Sequence, residues 1–131
     1  MTKIFKALLL GFLGIFTSSV ALAAAGVSDS GEIQALLGKE PKNVIVLDVR
    51  TPGEWRGGFI KGALLIPMRD VPGSLGKIPK DKKIVVVCAT GARSGAVASY
   101  LDESGYKWVK NYTGGMVDWQ RKGLPVEKNL P

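Results

Sequence analysis

Two short runs constrain this chain more than any other feature. Val44-Ile45-Val46-Leu47 and Ile84-Val85-Val86-Val87 are continuously apolar, rich in β-branched residues and bounded by polar ones. A strand with one wet face alternates apolar and polar side chains; a strand without alternation needs cover on both faces. The intervening segments supply that cover. Ser28, Asp29 and Ser30 form a cap-like start to a helix through Glu32-Ile33-Gln34-Ala35-Leu36-Leu37 that stops near Gly38. After Leu47 come a short helical stretch from Pro52, a brief strand at Leu64-Leu65-Ile66 and a helix-compatible segment from Asp70 to Leu75. Between Arg93 and Ser104, Val97, Ala98 and Leu101 share one helical face, with a stop at Gly105. Trp108 to Tyr112 reads as a last strand, and Gly114-Gly115 precedes a helix holding Val117 and Trp119 that ends before Gly123-Leu124-Pro125. Strands alternating with helices predict an α/β fold, a mostly parallel open sheet of about five short strands flanked by helices.

The first 25 residues stand apart from that core. Lys3 and Lys6 give a basic start, Ala7 to Phe16 an apolar stretch, and Thr17 to Ala25 a tail of small residues, which is the pattern of a signal peptide cleaved near Ala23 to Ala25. An exported, periplasmic or extracytoplasmic location is expected, with residues 26–131 as a single domain. A membrane anchor is the competing reading, because Ile4 to Ala25 is long enough for the roughly 20 residues a spanning helix needs; Thr17, Ser18 and Ser19 break its apolar run. A lipoprotein signal is excluded, since the only cysteine, Cys88, lies far from any cleavage point. The net charge of +7 falls by two once Lys3 and Lys6 are removed. The basic cluster Lys77, Lys80, Lys82 and Lys83 has no interleaved aromatics, so no nucleic acid is expected as a partner. A monomer is expected.

A single cysteine in an exported chain rules out an internal disulfide and leaves one thiol in an oxidising space. Cys88 sits where an apolar strand passes through a short loop, Ala89-Thr90-Gly91-Ala92, into a helix at Arg93-Ser94. Ligands bind beyond the carboxyl ends of strands in open α/β sheets. A loop turning at Gly91 brings backbone N–H groups and the positive end of the next helix toward the sulfur, and both favour thiolate over thiol. Such a cradle suits attack on a phosphate ester or on the outer sulfur of thiosulfate. Four residues separate Cys88 from Arg93, one fewer than in cysteine phosphatases, and the smaller ring favours a single sulfur atom.

Four segments, in order, resemble the rhodanese family over nearly all of the chain after the signal. They are Leu47-Asp48-Val49-Arg50; Glu54-Trp55 with Gly58-Phe59-Ile60-Lys61-Gly62-Ala63; Cys88-Ala89-Thr90-Gly91-Ala92-Arg93-Ser94; and Gly114-Gly115 with Trp119 and Gly123-Leu124-Pro125-Val126. The resemblance implies a sulfurtransferase that carries sulfane sulfur as a persulfide on Cys88, without metal or organic cofactor. It implies that Arg93 helps fold the loop and neutralises an anionic donor, that Arg50 lies near the pocket mouth, and that Ala89, Thr90, Gly91 and Ala92 supply backbone donors. Asp48 and Glu54, with Ser94, then support the site. Partners would be a small anionic sulfur donor and a thiol, cyanide or protein acceptor.

The chain departs from that family at Phe59, where relatives often have histidine; it contains no histidine at all. That removes any Cys-His hydrolase reading. The small side chains of Ala89, Thr90 and Ala92 give the loop no further cation, which leaves the donor open. Trp55, Phe59, Trp108 and Trp119 are expected to pack in the core or at its rim. Gly57 to Gly62 lacks the Lys-Ser or Lys-Thr of a nucleotide loop. The rival readings are a module that binds and delivers sulfide, polysulfide or another anion without turnover, and a cysteine-dependent phosphatase or arsenate reductase. An accessible Cys88 thiolate is also expected to be open to oxidation, with a persulfide as a candidate resting form.

Overall fold

The computed structural model describes residues 25–131. The expected signal or anchor segment, apart from Ala25, lies outside the described residues. Five strands, β1 (Gly26–Ser28), β2 (Val44–Asp48), β3 (Leu64–Leu65), β4 (Lys83–Val87) and β5 (Val109–Tyr112), form one parallel sheet in the order β1-β5-β4-β2-β3. Four helices, α1 (Ser30–Lys39), α2 (Pro52–Trp55), α3 (Ala92–Glu103) and α4 (Gly115–Arg121), connect and cover it.

The unbroken apolar runs occupy the middle of the sheet, as strands covered on both faces must. Successive residues of β2 and β4 point to opposite sides. Leu47, Ile84, Val86 and Cys88 pack with Val97, Ala98 and Leu101 of α3. Val46, Val85 and Val87 pack with Ile33 of α1 and with Met116 and Trp119 of α4. Val85, Val86 and Val87 are completely buried, and each contributes about 1.5–3 kcal/mol relative to an exposed side chain.

Register positions the site. Asp48 pairs with Val87, so β2 and β4 end side by side. Bonding continues past that point, with Val49 N–H donating to Val87 O at 3.0 Å, Ile66 N–H to Asp48 O at 3.1 Å and Met68 N–H to Val49 O at 3.0 Å. The residues immediately beyond these strands therefore share one edge of the sheet.

One local expectation changes, and one strand forms where none is expected. The segment from Asp70 to Leu75 is not an α-helix but parts of two 3-10 turns, Met68–Asp70 and Pro72–Lys77; Pro72 lacks the N–H that a continuing helix requires, and Gly73 and Gly76 lower the helical propensity of the residues after it. Strand β1 carries no apolar run and has one apolar residue, Val27, which is exposed. It forms by pairing Gly26, Val27 and Ser28 with Lys110, Asn111 and Tyr112. Trp55, Phe59 and Trp119 are buried in the core. Trp108 is partly buried, with the Lys110 and Lys83 ammonium groups 4.9 and 5.5 Å from its ring centre.

Candidate active site

Cys88 comes directly after the last residue of β4, and the loop beyond it turns back over the sulfur. Gly91, with φ of +92°, makes the turn; a Cβ there would lie 2.5 Å from Thr113 O, so both conformation and space demand glycine. The turn aims the Gly91 N–H at Cys88 Sγ, 3.1 Å away, and the Ser94 Oγ stands 3.2 Å from the same sulfur. Burial works to raise the Cys88 pKa, but the Ser94 hydroxyl and the backbone N–H groups of Ser94, Thr90 and Gly91 outweigh it and hold the thiol below its ordinary value.

The loop is also pinned from behind. Met116 N–H donates to Cys88 O at 2.8 Å and Val117 N–H to Ala89 O at 3.1 Å, so the start of α4 takes up the carbonyls that face away from the sulfur. Gly115, with φ of +62°, permits this approach, because a Cβ would stand 2.7 Å from Cys88 O. The second glycine of the closing signature thus has a packing reason: it lets one helix end touch the backbone of the cysteine itself.

Both arginines are held by carboxylates. Arg50 donates from Nε and Nη2 to the Asp48 carboxylate, at 3.0 and 2.8 Å, and from Nη2 to Gly58 O at 2.8 Å. Trp55 Nε1 adds a bond to Asp48 Oδ1 at 3.1 Å. Arg50 lines the hollow beside the loop, yet its guanidinium is occupied inside the protein. Arg93 makes a two-pronged pair with Glu54, at 2.9 and 2.7 Å, which joins α3 to α2 across 39 residues. Glu54 is also the third residue of a capping box with Thr51 at the start of α2. The Arg93 bond, aided by Thr51, holds the Glu54 carboxyl down to about 2 against the opposing effect of burial. Glu54 in turn raises the pKa of Arg93.

The structure therefore brings Cys88, Thr90, Gly91 and Ser94 together around one sulfur atom. Ala92 opens α3, Ala89 is fixed by α4, and Arg93 with Glu54 closes the loop on its outer side. Contrary to the expectation of an accessible thiol, Cys88 is only 1% exposed, because the loop folds over it and α4 backs it. A hollow of about 620 Å³ lies alongside, lined by Val49, Pro52, Pro67 and Met68 together with Arg50, Arg69, Asp70 and Arg93; it meets the loop at Arg93 and not at Cys88. Among the described residues no group of three or more His, Cys, Asp or Glu side chains converges in a metal-binding arrangement.

The sequence reading missed Asn111. Its Oδ1 lies 2.6 Å from Ser94 Oγ, and its Nδ2 donates to Gly91 O at 3.0 Å. Asn111 lies in the last expected strand, but its contact with Ser94 spans 17 residues, a distance over which no local pattern operates.

A cysteine at a strand end, in a short loop of N–H donors closed by an arginine, defines a class of sulfur- and anion-handling α/β proteins. Residues 30–122 match the model of the rhodanese-like domain, and the chain belongs to the rhodanese family. It is 41% identical over 87 residues to a sulfurtransferase of Allochromatium vinosum, covering 66% of this chain and 81% of that protein. It is 29% identical over 105 residues to a thiosulfate:glutathione sulfurtransferase of Saccharomyces cerevisiae, covering 70% and 76%. The crystal structure of a rhodanese-like domain protein from Staphylococcus aureus superposes with a TM-score of 0.67 at 36% identity, covering 79% of this chain and 98% of that one. This is an enzyme of the sulfurtransferase class.

Proposed function

We propose that the chain moves sulfane sulfur through a persulfide on Cys88, from thiosulfate, polysulfide or a related donor to a thiophilic acceptor. The Cys88 thiolate attacks the outer sulfur of the donor, the donor's sulfur–sulfur bond breaks, and the leaving group departs with the electron pair, as sulfite when the donor is thiosulfate. An acceptor thiol or cyanide then attacks the outer sulfur of the persulfide, and the electron pair of that bond returns to Cys88 as thiolate. The observation that carries this reading is the cradle itself: Gly91 N–H and Ser94 Oγ both within 3.2 Å of Sγ. Donors so placed stabilise negative charge on sulfur in both half-reactions.

Charge and shape support a donor or acceptor with an apolar body. Arg50 and Arg93 are already neutralised by Asp48 and Glu54, the loop offers no lysine, and the neighbouring hollow is walled by Val49, Pro52, Pro67 and Met68. A polysulfide chain or a protein-borne sulfane fits such a surface better than a small dianion alone. The basic and apolar N-terminal pattern supports an exported domain that meets its donor outside the cytoplasm. Cyanide-dependent thiocyanate production tests the reading: it is expected in the native protein and lost in Cys88→Ser with the fold intact, and equal turnover in that variant would sink it.

The deep burial of Cys88 favours one second reading, a module that holds sulfur and releases it only to a docked partner. Loading without release to cyanide or any small thiol would select it.

A further inference from the structure

Ser94 faces two acceptors with one proton. Its Oγ lies 2.6 Å from Asn111 Oδ1 and 3.2 Å from Cys88 Sγ, and a hydroxyl carries a single hydrogen. The far end of Asn111 fixes which way its amide points. Nδ2 stands 3.0 Å from Gly91 O, a carbonyl that only accepts, so the amide oxygen must face Ser94. An amide oxygen brings no proton of its own. At 2.6 Å two oxygen atoms require a hydrogen between them, and only Ser94 can provide it.

The consequence reaches the sulfur. With its proton turned to Asn111, Ser94 presents a lone pair to Sγ, an arrangement that accepts a thiol S–H and opposes a thiolate. With its proton turned to Sγ, Ser94 stabilises the thiolate but leaves two oxygens in unbridged contact. Ser94 is completely buried, so bulk water has no access to relieve the conflict. Asn111 itself has little freedom: a Cβ on Gly95 would lie 3.0 Å from Nδ2, so the neighbouring turn of α3 packs directly on the amide.

We propose that Asn111 is a positioning residue for sulfur transfer that acts through Ser94, holding the hydroxyl proton while Cys88 is a thiol and yielding it when Sγ carries charge. The role rests on Cys88 as the sulfur-carrying nucleophile. When an acceptor takes the outer sulfur of the persulfide, the electron pair of the breaking bond goes to Sγ, and the Ser94 proton swings from Asn111 toward it. No proton leaves Ser94. Asn111 thereby favours the protonated or sulfur-loaded cysteine over the bare thiolate, which is the form most open to oxidation.

Other charges near the sulfur are already engaged. Arg93, on α3, senses Cys88 but is bound by Glu54 of α2. Arg50 and Asp48, at the end of β2, bind each other. On α4, Asp118 bonds to Tyr112 and Lys122; on β5, Lys110 bonds to Glu32. The Ser94 proton is thus the group that a change at Asn111 reaches directly.

The test is the rate of Cys88 alkylation by iodoacetamide as a function of pH, in Asn111→Ala and Asn111→Leu, each also built on Ser94→Ala. Freed from its competing acceptor, the Ser94 hydroxyl should keep its proton directed at the sulfur. A hydrogen bond of this kind is worth about 1 kcal/mol, so alkylation below the titration midpoint should rise roughly fivefold and the midpoint should move to lower pH. In the Ser94→Ala background the same substitutions should leave the rate unchanged. Unaltered or slower alkylation, or an equal change in both backgrounds, would overturn the proposal and reduce Asn111 to a support for the Gly91 peptide. Should Asn111→Ala fail to fold, as thermal unfolding would show, the bulkier Asn111→Leu carries the test. Alkylation needs no sulfur donor. A shift without sulfur transfer would therefore refute the sulfurtransferase reading alone, and transfer without a shift would refute the role of Asn111 alone.

Discussion

Two arginine–carboxylate pairs flank the active edge of the sheet, and they differ in almost everything except chemistry. Asp48–Arg50 joins residues two apart, with side chains 1% and 5% exposed. Glu54–Arg93 joins residues 39 apart, with side chains 33% and 35% exposed. The first ties the end of β2 to the Gly58 carbonyl and the Trp55 ring nitrogen, and so builds the wall beside the loop. The second latches the loop itself. A buried pair is hard to lose without leaving a stranded charge, whereas a half-exposed pair contributes little to stability and can still decide where a backbone lies.

Substitutions separate these roles. The largest expected effect is on the buried pair. Asp48→Ala leaves the Arg50 guanidinium without its carboxylate partner and the Trp55 N–H without its acceptor, and urea unfolding should show a loss of about 3–5 kcal/mol. A loss under about 1 kcal/mol would mean that Arg50 finds water or another partner. Next in size is Gly91→Ala, inside the latched loop. A left-handed residue with a Cβ pressed on Thr113 O should cost about 2 kcal/mol or more in the same measurement and abolish most turnover, since the Gly91 N–H leaves the sulfur.

Glu54→Gln should behave in the opposite way to Asp48→Ala. Its effect on stability should stay below about 1 kcal/mol, while kcat/KM falls roughly tenfold or more as the loop loosens. Stability lost without activity lost would make the latch an ordinary surface pair. The smallest effect is the acid dependence of this pair. The Glu54 pKa is depressed in the folded protein, so its contribution is fully present above the ordinary carboxyl range and fades as pH falls toward about 2. Difference unfolding curves of native protein and Glu54→Gln should converge over that window and stay parallel above it.

The same contrast shows what a sequence carries. Val44 to Leu47 and Ile84 to Val87 announce a sheet covered on both faces, because burial of consecutive residues has no other economical explanation in so short a run. Gly91 and Gly114-Gly115 mark tight turns, and the structure adds the close contacts that require them. Strand β1 was not legible, since three residues with a single exposed Val27 leave no periodic signal and pairing with β5 alone creates it. The turns around Pro72 arise from a missing N–H that a helical apolar count overlooks. For the site, position in the chain picked out Cys88, Gly91 and Arg93. Sequence gives the charge of Arg50 but not the direction in which it points, and it gives no hint that Asn111 and Ser94 share a proton.

The proposed persulfide requires the cradle around Cys88 to carry sulfur covalently. An intact-mass spectrum of the domain before and after thiosulfate or polysulfide, with Cys88→Ser alongside, tests it most directly. A gain of one sulfur atom is expected on the native protein alone, removed by cyanide with thiocyanate as product. No adduct with either donor, or an equal adduct on Cys88→Ser, would contradict it.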